Sequence, residues 1–174
     1  MTIDIMRLKF RKLTKADCYA WEAKAKEQFS VEDFCDASYI IDPKNKIKGW
    51  ILLDDNDEWL GCCFINTKHH DYNPDGVHFL EICTFPKYRG MGYAKYLLKI
   101  MFDNSLSKTK SVCIAPDNYN SIRLFEKYGF EKNRKHKCWD VYLCDKDYYP
   151  PLLKDLHITE IPTDPEAEKD FVVN

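Results

Sequence analysis

Apolar and polar positions change period several times along the chain, and each change marks an element. Residues 5–13 alternate enough to predict a first strand. Thr14-Lys15-Ala16-Asp17 spells a capping box, so a helix starts near Lys15 and runs to about Glu27. Ser30-Val31-Glu32-Asp33 repeats that signal for a short second helix to about Tyr39. Lys48 to Leu53 and Trp59 to Asn66 are apolar, β-rich runs on either side of the turn Asp54-Asp55-Asn56-Asp57-Glu58, which reads as a hairpin. A loop from His69 to Gly76, centred on Asn73-Pro74-Asp75-Gly76, precedes a longer strand from Val77 to Phe85.

The clearest helical period lies between Gly90 and about Ser107. Ala94, Leu97, Leu98, Met101 and Phe102 fall on one stripe. Ser111 to Ala115 is a short buried strand, and Asn118 to Tyr128 a helix stopped by Gly129. Phe130 to Arg134 and Trp139 to Cys144 form a closing strand pair, and after Pro150-Pro151 the pattern fades. Helices alternating with strands predict an α/β fold: a mixed sheet of about seven strands, antiparallel in its N-terminal half, with flanking helices. Residues 1–149 make one domain and residues 150–174 an acidic, proline-containing extension.

Composition narrows the function classes. The 174 residues suffice for one core, and no apolar run approaches a membrane span. The first ten residues carry no secretory h-region, so a cytoplasmic protein is expected. Lys and Arg number 26 against 28 Asp and Glu, leaving no global field to hold nucleic acid or an acidic membrane. Residues 150–174 hold two lysines against six acids, so the rest is slightly basic. The eight cysteines mostly sit inside apolar runs, as in Gly61-Cys62-Cys63-Phe64, and read as buried reduced thiols. There is no Cys-x-x-Cys, and His69-His70 stand in a polar loop without ligand spacing, so no metal site is expected.

One segment carries chemistry: Ile82-Cys83-Thr84-Phe85-Pro86-Lys87-Tyr88-Arg89-Gly90-Met91-Gly92-Tyr93-Ala94. A strand ends, a proline turns the chain, and a glycine-rich loop opens a helix. Consecutive N–H groups and the positive end of the helix dipole make an anion site suited to a phosphate or pyrophosphate. A Walker loop is excluded because Gly-Lys-Ser/Thr is absent. A dinucleotide fingerprint fails because position 95 is Lys rather than Gly and no βαβ unit precedes the strand.

About 25 residues on comes Asn118-x-x-Ser121-Ile122-Arg123-Leu124-Phe125-Glu126-Lys127-Tyr128-Gly129-Phe130. In this order and separation the two segments resemble the GNAT superfamily of acyl-CoA-dependent N-acetyltransferases. Arg89-Gly90-Met91-Gly92-Tyr93-Ala94 fits that family's loop pattern Gln/Arg-x-x-Gly-x-Gly/Ala, while Asn118, Ser121, Gly129 and Phe130 fall on the pattern of its later helix. The strand and Thr-x-x-Asp between Leu8 and Asp17 look like the family's opening, and the resemblance covers roughly residues 5–144.

The resemblance implies an N-acetyltransferase that takes acetyl-CoA as donor and moves its acetyl group, by direct attack, to an amine of a small molecule or protein. It implies a pyrophosphate on the amides of Gly90, Met91, Gly92, Tyr93, Ala94 and Lys95, with Arg89 beside them. It also implies a pantetheine arm paired to the backbone of Ile82, Cys83 and Thr84 where the fourth and fifth strands splay, with Asn118 and Phe125 near the arm or the sulfur. Trp21, Phe29, Phe34 and Tyr39 lie in the helical region that lines the family's acceptor pocket, although core packing explains them as well.

Two family groups are replaced. Phe125 stands where a Tyr usually serves as general acid, and Cys113 where many members carry Glu. A lysine-like amine costs roughly 4–5 kcal/mol to deprotonate at pH 7, so a base helps most with basic acceptors. His78 matches the family's fourth-strand base position, and plain alternation puts His78, Leu80, Ile82 and Thr84 on one face with Glu81 on the other unless a bulge flips it. His78 is therefore the expected base, Glu81 the second candidate, and Tyr128 or Tyr119 a substitute acid. The alternative is a degenerate GNAT fold that binds acyl-CoA or a partner without turnover. The basic run Lys132 to Lys137 reads as a solvated turn, with an acidic substrate or the cofactor's 3′-phosphate as the lesser reading. Tyr148-Tyr149-Pro150-Pro151 and the acidic tail are candidates to pack back on the domain, cover an edge, or meet a partner subunit in a homodimer.

Overall fold

The computed structural model describes residues 7–29 and 36–163. Among these residues eight strands form one sheet: β1 (Lys9–Lys12), β2 (Ile47–Leu53), β3 (Trp59–Asn66), β4 (Val77–Thr84), β5 (Lys110–Ile114), β6 (Glu131–His136), β7 (Trp139–Cys144) and β8 (Thr159–Glu160). Among the described residues five α-helices accompany them: α1 (Lys15–Gln28), α2 (Ala37–Ile41), α3 (Ala94–Asp103), α4 (Tyr119–Lys127) and α5 (Pro151–Lys154). The strand order is β6-β7-β5-β4-β3-β2-β1-β8. Neighbours are antiparallel except β4 with β5 and β1 with β8.

The sheet thus has eight strands rather than about seven, and the difference lies where the sequence pattern faded. Thr159 and Glu160 pair with Lys9 and Phe10 and cover the edge of β1. Leu153 of α5 is fully buried beside the core side chains of α3. The strand is two residues long and lies at an edge, too short for periodicity to register.

Two apolar clusters sandwich the sheet. One face packs Leu97, Leu98, Met101 and Phe102 of α3 and Phe125 of α4 against Trp50, Cys63, Ile65, Phe79 and Val112. The other packs Trp21 and Ala25 of α1 and Ile40 of α2 against Ile51, Cys62, Phe64 and Phe85. The capping box on α1 is formed: Thr14 Oγ1 accepts from the Asp17 N–H at 3.1 Å, and Asp17 accepts from the Thr14 N–H at 2.8 Å. Helix α3 begins at Ala94, not at Gly90, because Gly90 and Gly92 have φ of 77° and 83°, outside the helical region. Gly129 closes α4 at φ 96°, where a Cβ would collide with the ring of Tyr148. The Ser30 capping signal, Phe34 and Cys35 lie outside the described residues, and α2 is capped instead by Asp36, whose side chain accepts from the Tyr39 N–H at 2.8 Å.

Candidate active site

Strands β4 and β5 pair at only two positions, Val77 with Lys110 and His78 with Ser111. Beyond these they diverge, although β4 continues to Thr84 and β5 to Ile114. Main-chain groups in the diverging stretch therefore lack a β5 partner, which leaves a slot for an extended ligand. A cleft of about 210 Å³ fills the fork, lined among others by Leu80, Glu81, Cys113, Asn118, Phe125 and Trp139. It shares Ile82, Asn118 and Ser121 with a second cleft of about 560 Å³ under the glycine-rich loop.

The loop side is built to hold an anion. Tyr93 at the start of α3 makes no side-chain cap, so the first N–H groups of the helix are left for a ligand. A Cβ at Gly90 would meet nothing within 4 Å, and one at Gly92 only the end of the Lys95 side chain at 3.8 Å. Arg89 is anchored beside them, with Nε donating to the Thr84 carbonyl at 3.4 Å and its guanidinium over the Phe29 ring. Of the cofactor residues expected from sequence, Ile82, Cys83, Thr84, Arg89, Gly90, Gly92, Tyr93, Ala94 and Asn118 line this larger cleft, and Phe125 lines the fork. Met91 and Lys95 line neither, and Met91 points to solvent. Tyr88, Asn120 and Ser121 join the lining without having been singled out for binding. Asn118 caps α4 by accepting from the Ser121 N–H at 3.3 Å, so its amide nitrogen is the end left to meet a ligand.

The chemistry side departs from plain alternation. Phe64 of β3 lies opposite Glu81, but the next residue, Ile65, lies opposite Phe79, which leaves Leu80 as a bulge. Partners in an antiparallel pair share a face. Glu81 therefore lies on the Phe64 side, under α1 and α2, and so does His78, the partner of Asn66 two positions on from Phe64. Ile82 and Phe79 belong to the α3 side. The face assignment His78-Leu80-Ile82-Thr84 is thus corrected by one extra residue, and Glu81 joins the face of His78. Sequence carries no signal for that bulge, since it depends on how β4 pairs with β3.

His78 and Glu81 differ in setting. Glu81 is half-buried and lines the fork. His78 is buried, lies outside both clefts, and its Nδ1 is 2.9 Å from Ser111 Oγ. Burial, with His70 adding to it, pushes the His78 imidazole down to about 3. Tyr128 is buried in the core under α4 and lines neither cleft, and burial raises its phenol. Tyr119 is exposed. Burial first, then the neighbouring Glu81, pushes the Cys83 thiol up to about 12, with Arg89 pulling weakly the other way.

Comparison with known proteins follows this geometry. A family model described as the Acetyltransferase (GNAT) family matches residues 9–130. No curated protein sequence matches the chain. Among solved structures, a point mutant of the spermidine N-acetyltransferase from Vibrio cholerae superposes with a TM-score of 0.57 at 15% identity, over 79% of this chain and 91% of that one. The dodecameric form of that enzyme in an intermediate state gives 0.55 at 16% identity, over 79% and 91%. A PaiA N-acetyltransferase from Thermoplasma acidophilum, solved with coenzyme A, gives 0.54 at 14% identity, over 80% and 99%. These likenesses are likenesses of fold.

Proposed function

The chain belongs to the GNAT acetyltransferase family, and from that premise we propose that it moves the acetyl group of acetyl-CoA directly to an amine of a small molecule or protein. The observation that carries this reading is the fork between β4 and β5, open onto the uncapped start of α3. In this reading the pyrophosphate lies on the amides from Gly90 to Lys95, and the pantetheine pairs with the backbone of Ile82 to Thr84, which has no β5 partner. The thioester then reaches the fork beside Asn118 and Phe125. The coenzyme A bound to the Thermoplasma acidophilum neighbour supports the class of cofactor.

The roles of the acidic and basic groups follow from placement. Glu81 takes the proton that an acceptor ammonium sheds before attack, because it lines the fork while His78 does not. His78 braces β4 against Ser111. Phe125 offers no proton, but a thiol of pKa about 8.5 leaves as thiolate at pH 7 for roughly 2 kcal/mol, so transfer proceeds without an acid there. Glu81 is the one carboxylate in the fork lining.

Thermal shift with acetyl-CoA, CoA and NAD, followed by CoA release over a panel of amines, tests the proposal. Acetyl-CoA at a hundredfold excess over Kd should stabilise the fold by about 2.7 kcal/mol. The absence of a shift with either CoA species, or a larger shift with NAD, sinks the reading. Binding without CoA release from any amine leaves an acyl-CoA-binding protein in its place.

A further inference from the structure

The loop between β3 and β4 folds back over the α1 and α2 side of the fork and brings a chain of polar side chains with it. Asn66 Oδ1 is 3.1 Å from His70 Nε2, His70 Nδ1 is 3.1 Å from the Tyr72 hydroxyl, and that hydroxyl is 3.6 Å from Cys113 Sγ. An amide oxygen only accepts, so Nε2 of His70 carries the proton and Nδ1 is the acceptor. The Tyr72 hydroxyl must then donate to Nδ1, which leaves its lone pairs to accept from the Cys113 thiol. Every hydrogen in the chain points away from the fork, whose wall Cys113 forms.

The surroundings hold this direction in place. The rings of His70 and Tyr72 stack at 5.0 Å, with His136 edge-on to Tyr72 at 5.2 Å and His78 against His70 at 4.9 Å. Tyr72 is buried and His70 half-buried, so the chain runs from the fork to a side chain in reach of water. The titratable and charged groups facing His70 are Lys68, His69, Asp71 and Tyr72 of its own loop, His78 of β4 and His136 of β6. Burial first, then the neighbouring Lys68, His136 and His69, holds the imidazole below its usual range, with Asp71 opposing them, so it is neutral at pH 7.

We infer that Cys113, Tyr72 and His70 form a proton outlet for acetyl transfer, with Cys113 meeting the acceptor nitrogen and Tyr72 and His70 acting through it. The inference rests on the acetyl-transfer reading above. Attack by the neutral amine forms the C–N bond and leaves one surplus proton on nitrogen. That proton passes to Cys113 Sγ as the Cys113 proton passes to the Tyr72 oxygen and the Tyr72 proton to His70 Nδ1. The C–S bond then breaks with its electron pair on sulfur. Cys113 and Tyr72 end as they began, His70 ends as imidazolium, and CoA leaves as thiolate.

The test uses the full chain and whichever amine of the panel releases CoA fastest. Tyr72→Phe keeps the ring stack and removes the relay, and Cys113→Ala opens the chain at its first link. Both should lower kcat by about 10²-fold with acetyl-CoA affinity unchanged. Cys113→Ser, which still donates and accepts, should restore most of the rate. His70→Gln should remove the acid limb of the pH–rate profile. Wild-type kcat and an unmoved acid limb in Tyr72→Phe, or equal rates in the Ala and Ser variants at 113, overturn the outlet while acetyl transfer stands. Nitrogen NMR of the unliganded protein gives a readout that needs no acceptor: His70 should be the Nε2–H tautomer, and the Nδ1–H tautomer overturns the direction. An absence of CoA release from every amine overturns the acetyl-transfer reading, and the outlet with it.

Discussion

Glu81 and His78 share one face of β4 although they stand three residues apart, because Leu80 bulges out of register with β3. The bulge turns the strand at the point where it leaves β5, so the carboxylate enters the fork and the imidazole stays behind it, against Ser111. Bulges beside active sites commonly re-aim a side chain in this way.

Glu81→Gln should accordingly lower kcat/KM by about 10²–10⁴-fold at neutral pH, most for amines of high pKa, whose deprotonation is hardest. Acetyl-CoA affinity should hardly move. His78→Gln should change the rate far less, since the amide preserves a partner for Ser111. Steady-state rates across an amine series check both, and a large loss with His78→Gln beside a small one with Glu81→Gln sinks the assignment.

The anion loop gives a second outcome. Gly92 sits at φ 83° where a Cβ would touch only the end of the Lys95 side chain, and Gly92→Asp adds a carboxylate beside the N–H groups that α3 leaves uncapped. Affinity for acetyl-CoA should fall at least tenfold, with strain of about 1–3 kcal/mol from the left-handed backbone. Calorimetric titration separates the two effects. Unchanged affinity in a folded variant places the phosphates elsewhere.

How far the sequence reached differs between the two halves of the site. The loop was legible because backbone geometry itself selects its residues: Gly90 and Gly92 are spelled where positive φ is needed, and the stripe of α3 follows at once. The helices with caps written in sequence were legible too, as with Thr14 and Asp17. The chemistry half was not. The faces of β4 depend on one unpaired residue, and the chain of Asn66, His70, Tyr72 and Cys113 joins three segments that sequence keeps up to 47 positions apart. Trp139 entered the fork for the same reason, through the pairing of β7 with β5. The edge strand β8 was missed because two residues have no period.

The cap of α1 should stabilise the fold in a pH-dependent way. Arg11 meets Asp17 with both guanidinium nitrogens, at 2.5 and 3.1 Å, and Asp17 also accepts from the Thr14 N–H. Burial opposes ionisation of this carboxyl, but Arg11 and Thr14 outweigh it and hold it below 3.8. The folded pKa is depressed, so the contribution is present above the unfolded value near 3.9 and is lost as pH falls through the folded one. Asp17→Asn should lower stability at pH 7, with the gap to wild type closing below about pH 4. Thr14→Ala should lower it by about 1 kcal/mol. Urea unfolding at pH 7 and pH 3 checks this, and a gap that is the same at both values excludes the carboxylate as its source.

His78 predicts an opposite kind of signature from the same measurement. Its imidazole titrates near 3 when folded and near 6.5 when unfolded, because burial beside Ser111 and His70 disfavours the cation. Between those values the unfolded chain binds the extra proton, so stability is complete above pH 6.5 and declines as pH falls towards 3. Each pH unit inside that window removes up to about 1.4 kcal/mol. Asp17 acts below pH 4 and His78 mainly above it, so the two are separable. His78→Gln should destabilise the protein modestly at pH 7.5 and flatten the decline between pH 6.5 and 4.5. At pH 4.5 the variant should match or exceed wild type, because it has no imidazole to charge on unfolding. Urea midpoints taken across that range read the slope directly. Parallel slopes for the two proteins overturn the account of His78 as a buried neutral brace and return it to the list of groups that meet solvent in the folded state.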